Sequence, residues 1–143
     1  MKTIVCGVDG SPGARAALRV SARLAEELGA RLVAVHVVDR LNDVGPTAER
    51  AAARVLYDEA PDAHGEARGE VGDVAERLAA VARDEGALMI VLGARSRGRS
   101  RTFLRTRCAA ELSELTDIPV LVAPHQLVAD PTLGQLTTQG GFR

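Results

Sequence analysis

Segments of strand character alternate strictly with segments of helical period along this chain, and that alternation limits the folds open to it. Strand-like runs lie at Thr3 to Val8, Leu32 to Val38, His64 to Val71, Ala87 to Leu92 and Val120 to Ala123. Between them fall four stretches long enough to be helices. Parallel strands need long crossovers, and such crossovers are right-handed, so the alternation predicts helices packed on both faces of a parallel sheet. The expected class is α/β: a doubly wound three-layer sandwich of five parallel strands and four helices. A chain of 143 residues that is 46% apolar has the material for one such core.

The helices can be placed from their ends. Ser11 caps the first, Pro12 occupies its opening turn and Gly29 stops it. Its predicted inward stripe is Ala14, Ala17, Leu18, Ser21, Leu24, Ala25 and Leu28. The second runs from about Pro46 to Ala60 on an alanine-rich stripe. Asp73 and Glu76 form a capping box for the third, whose inward residues are Val74, Leu78, Val81 and Ala82, with Gly86 ending it. After the Gly/Ser/Arg segment from Gly93 to Arg101 comes a fourth, with Leu104, Cys108, Leu112 and Leu115 on one face. Strand three is polar and glycine-containing, which suits a sheet edge better than its centre. Periodicity stops at Pro124, so the reading is a domain over 1–124 and a mobile tail over 125–143.

Composition removes several function classes. The net charge of −1 gives no global attraction to nucleic acid or anionic lipid. With two Phe, one Tyr and no Trp, stacking platforms for single-stranded nucleic acid are missing. Cys6 and Cys108 sit in an apolar run and a helical pattern, as buried thiols do, and neither has a metal-ligand spacing. The opening residues are too short an apolar stretch for a signal peptide, and no run has membrane-spanning length; the expected location is the cytoplasm. No P-loop lysine, clustered carboxylates or nucleophile–base pair marks an enzyme.

In sheets of this kind ligands bind at the carboxyl ends of the strands, where strand order reverses. Two segments have the composition for that place: Val8-Asp9-Gly10-Ser11 and Gly93 to Arg107. Together with Ile4-Val5-Cys6-Gly7 before the first, His36-Val37-Val38-Asp39, Ile90-Val91-Leu92-Gly93 and Ile118-Pro119-Val120-Leu121-Val122, they make residues 2 to 123 resemble the universal stress protein family. The resemblance implies strand order 3-2-1-4-5 and a homodimer joined through the last strand at Val120, Leu121 and Val122. It implies a stress-responsive binding module rather than a catalyst, with an unidentified protein partner.

Many members of that family bind ATP through Gly-x2-Gly-x9-Gly-Ser/Thr after the fourth strand. The same spacing here gives Gly93, Ser96, Thr106 and Arg107, so only the first glycine is kept. Asp9 matches the acidic residue near the nucleoside, and Val37 the residue whose backbone meets adenine. The implied cofactor-binding set is Val8, Asp9, Gly10, Val37, Leu92, Gly93, Ser96, Arg97, Thr106, Arg107 and Cys108. Lost glycines remove close backbone approach to phosphate, while Arg95, Arg97, Arg99, Arg101, Arg105 and Arg107 offer charge-assisted bonds to it. The expectation is ATP binding that is weak or lost. Arginines standing in for the glycines, a weak nucleotide hydrolase, and a polyanion-binding loop are the alternatives. Plainer roles compete at each position: a solvated arginine face, Asp9 as a turn residue, His36 as a packed side chain, and Asp43, Asp58 and Glu59 as surface acids.

Overall fold

The computed structural model describes residues 1–38, 45–94 and 100–124, and of residues 45–46 and 100–107 only the backbone. The elements run β1 (Thr3–Gly7), α1 (Pro12–Leu28), β2 (Arg31–Val38), α2 (Gly45–Glu59), β3 (Gly65–Val71), α3 (Val74–Glu85), β4 (Ala87–Gly93), α4 (Ser100–Leu115) and β5 (Val120–Ala123). All strand pairs are parallel, in the order β3-β2-β1-β4-β5. The expected class, strand order and helix number are all found. Ser96 and Arg97, and the tail over 125–143, lie outside the described residues.

Two cores follow from the period-two alternation of strands buried on both faces. Ile4, Cys6, Leu32, Ala34 and Val91 pack under α1 and α2 with Ala17, Leu18 and Val55. On the other face, Val5, Val33, Val35, Ile90 and Leu92 pack under α3 and α4 with Leu78, Val81 and Leu112. Burial of these aliphatic chains contributes about 1.5–3 kcal/mol each, before the entropy of ordering is subtracted.

The helix ends obey their capping residues. Ser11 Oγ accepts from the Ala14 N–H at 3.2 Å, and Asp73 Oδ2 from the Glu76 N–H at 3.0 Å. Gly29 and Gly86 close their helices in the left-handed conformation. Three side chains expected inside are instead exposed: Leu28, Val74 and Leu115. Each lies in the first or last turn of its helix, where the apolar stripe has passed beyond the sheet edge.

The polar third strand is an edge strand, as its composition predicts. Glu66, Arg68 and Glu70 alternate along it and pair with residues of β2 and α3. Arg68 meets Glu85 at 2.9 Å, Arg77 meets Glu70 at 2.7 Å, and Arg31 bridges Glu66 and Glu85. Charges of both signs on an edge discourage pairing with another chain. Glu59 departs from the surface acid expected of it. It is half-buried and takes hydrogen bonds from Arg15, at 2.9 Å, and Arg19, which tie α2 to α1.

Candidate functional site at the carboxyl ends of β1, β2 and β4

Strand order reverses between β1 and β4, which pair along Ile4 to Cys6 yet come from the two halves of the chain. Their carboxyl ends lead into the two segments that the sequence singles out. After β1, Val8 stays in the core and donates its N–H to the Val35 carbonyl at 2.8 Å. Asp9 is exposed, and its Oδ1 accepts the Ser11 N–H at 3.0 Å. Gly10 bends the chain with φ of 81°, a conformation that L side chains rarely adopt. Asp9 thus holds the turn and lies beside the N-terminus of α1, where a negative charge is favoured.

β2 continues past the end of β1. Odd-numbered residues of β2 direct their backbone groups toward β1: Arg31 donates to the Lys2 carbonyl and Val35 accepts from Val8. By the same alternation Val37 points its N–H and C=O to that side, beyond Gly7, the last paired residue of β1. Its backbone therefore faces the crevice next to Asp9, while its side chain is half-buried against the α3/α4 core. Even-numbered His36 falls on the opposite face, and its Nδ1 is buried with no hydrogen-bond partner among the described residues.

Gly93 ends β4 buried against the start of α1. A Cβ at this position would stand 2.4 Å from the Gly13 carbonyl carbon and oxygen and 2.7 Å from the Ala14 nitrogen. Backbone cannot yield to such contacts as a flexible side-chain tip can, so close packing of β4 on α1 requires glycine here. Leu92, beside it, is buried in the core over α3 and α4. The role of Gly13 escaped the sequence reading; its only signal was a second small residue directly after Ser11-Pro12.

Of the rest of the expected set, Ser96 and Arg97 lie outside the described residues, and Thr106, Arg107 and Cys108 are on α4. Thr106 and Arg107 lie inside that helix, which starts at Ser100. Only the first four N–H groups of a helix lack an intrahelical partner. Positions 106 and 107 lie past them. Cys108 is half-buried, and burial pushes its thiol up to about 11, with Glu111 and Asp73 acting in the same direction. Burial likewise pushes Cys6 up to about 12, so neither thiol is a nucleophile at neutral pH. Among the described residues no group of three His, Cys, Asp or Glu could hold a metal ion, and no helix is long and apolar enough to cross a membrane.

Residues 1–124 match the profile of the universal stress protein family. The chain belongs to that family. A universal stress protein family member from Burkholderia pseudomallei is 30% identical, with 86% of this chain and 96% of that one covered and a TM-score of 0.61. A universal stress protein solved in complex with cAMP superposes with a TM-score of 0.67 at 20% identity, covering 87% of this chain and 97% of that one. The universal stress protein from Archaeoglobus fulgidus in complex with dAMP gives 0.60 at 20% identity, covering 85% and 97%. At that identity the last two show a shared fold. No curated protein matches the chain.

Proposed function

We propose that this universal stress protein is a regulatory binding module whose crevice takes an adenine nucleotide through its nucleoside and gains little from further phosphates. The observation that carries this is the placement of Thr106 and Arg107 inside α4. A phosphate site of this type draws on several backbone N–H groups converging on oxygen. At 106 and 107 those groups belong to the helical ladder, and side chains replace the small residues of the family motif. Gly93 is no counterweight, since packing against Gly13 already accounts for it.

The nucleoside half has more behind it. Val37 offers backbone donor and acceptor at the crevice edge, and Asp9 stands beside it at the start of α1. Two neighbours of the same fold are complexes with cAMP and dAMP, ligands that carry one phosphate each. The molecule acts as a dimer joined along β5, where Leu121 and Val122 are exposed. Native mass spectrometry of the purified protein tests the ligand class: a co-purifying adenine monophosphate is the expected result, and stoichiometric ATP would overturn it. Sedimentation at micromolar concentration tests the assembly; a single species of 15.0 kDa would refute the dimer.

A further inference from the structure

β2 runs past the end of β1 and is held there from one side. Its last backbone contact toward β1 among the described residues is the Val35 carbonyl, which accepts from Val8 at 2.8 Å. The register with β3 continues to the end of the strand, His36 with Gly69, Val37 with Glu70 and Val38 with Val71. Even-numbered residues of β2 turn their backbone groups to β3, and the Val38 carbonyl takes the Gly72 N–H at 2.8 Å. Val37 turns its own N–H and C=O to the crevice, so its position is set by how firmly the end of β3 is fixed. Strand ends with few partners open more readily than the core.

Gly72 and Arg77 supply the fixing. Gly72 follows β3 directly with φ of 139°, a conformation that residues with side chains rarely adopt. The stem of Arg77 lies across it: a Cβ on Gly72 would stand 3.0 Å from Arg77 Cδ and 3.1 Å from its Cγ. Beyond the stem, Arg77 Nε and Nη2 donate to Glu70 Oε1 at 3.1 and 2.7 Å. Glu70 is the β3 residue in register with Val37 and shares its face of the sheet. Arg77 is itself anchored in the first turns of α3, where its N–H goes to the Asp73 carbonyl at 2.9 Å and its neighbours Ala75 and Leu78 are buried. One side chain thus ties the end of β3 to a helix seated in the core.

We propose that Arg77 is a positioning residue for base recognition: laid over Gly72 and bound to Glu70, it holds the end of β3 and, through Val38, the end of β2. The Val37 backbone is then presented to the crevice in one fixed place. The strap stands on its own geometry; its consequence for ligands rests on the adenine nucleoside reading above. Adenine offers an acceptor at N1 beside a donor at N6, whereas hypoxanthine offers a donor at N1 beside an acceptor at O6. A fixed backbone N–H and C=O match the first and meet the second donor to donor and acceptor to acceptor. A loosened strand end distinguishes the two bases less.

Hydrogen exchange at the Gly72 amide and the ratio of adenosine to inosine affinity read the two parts. Arg77→Met keeps an unbranched stem over Gly72 and removes the guanidinium. Because the ion pair is partly exposed, the melting midpoint is expected to stay near that of the parent. The Gly72 amide is expected to exchange about fivefold or more faster in the variant. The parent is expected to prefer adenosine over inosine about tenfold or more, and the variant about threefold or less. Glu70→Gln, which weakens the same pair from the strand side, is expected to act alike. Arg77→Lys returns a charge toward Glu70 and is expected to recover part of the preference. Arg83→Met, at an exposed arginine of the same helix, is expected to change neither readout. An unchanged Gly72 amide in Arg77→Met would overturn the proposal, as would faster exchange with the full preference retained. A parent that binds neither nucleoside, or both equally, with faster Gly72 exchange in the variant rejects the nucleoside reading and keeps the strap.

Discussion

At Gly93 a single absent methyl group decides how closely β4 can approach α1. Gly93→Ala would drive its Cβ to 2.4 Å from backbone atoms of Gly13, and relief requires moving a helix against a strand. The expected loss is about 3 kcal/mol or more, at the upper end for overpacking. Gly10→Ala meets open space and carries only the strain of a positive φ, about 1–2 kcal/mol. Urea unfolding of the two variants tests the ranking; a parental midpoint for Gly93→Ala would contradict the packing role. Glu59 gives a pH signature. Burial acts to raise its carboxyl, but the hydrogen bonds from Arg15 and Arg19 outweigh it and hold the folded-state value below the ordinary one. A depressed carboxyl stabilises above its unfolded value and loses that contribution as pH falls through the folded one. Because both arginines are about a third exposed or more, solvent screening limits the effect. Glu59→Gln is expected to cost about 1 kcal/mol at pH 7, with parent and variant converging in acid. A constant difference down to pH 2 would mean that Glu59 acts through packing instead.

At the level of elements, the caps and the alternation carried most of the information. Ser11, Asp73, Gly29 and Gly86 mark helix ends through local backbone chemistry, which the sequence displays directly. Ser11→Ala and Asp73→Ala should each destabilise by about 1 kcal/mol, and thermal melts with unchanged midpoints would show the caps to be inert. Leu28, Val74 and Leu115 were misread because helical period says which face a residue is on, not where the sheet beneath it stops. The pairing of Glu59 is hidden for a related reason: its partners on α1 lie forty or more positions away in sequence. Asp9 and Gly10 belong to a segment that the end of β1 and its turn mark in the sequence, Val37 is named only through the family resemblance, and the Gly13–Gly93 approach is a contact between elements distant along the chain. The start of α4 at Ser100 lies two residues before the position that the Gly93 to Arg101 segment suggests for it.

For the whole molecule, the proposed function makes the two halves of the crevice unequal, and that inequality should appear as a ratio of affinities. Calorimetric titration of the parent with AMP and with ATP measures it. Where phosphate recognition works, two added phosphates tighten binding by several kcal/mol, each 1.4 kcal/mol being about tenfold. Here ATP should bind no more than about threefold tighter than AMP. The full-length Ser96→Gly, Thr106→Gly, Arg107→Ser variant should then favour ATP by releasing the N–H groups of 106 and 107 from the first turns of α4, read in circular dichroism as a small loss of helix with the fold retained. Low-micromolar ATP binding by the parent, tenfold or more tighter than AMP and unimproved in the variant, would contradict it. The arginines would then have taken over the phosphates.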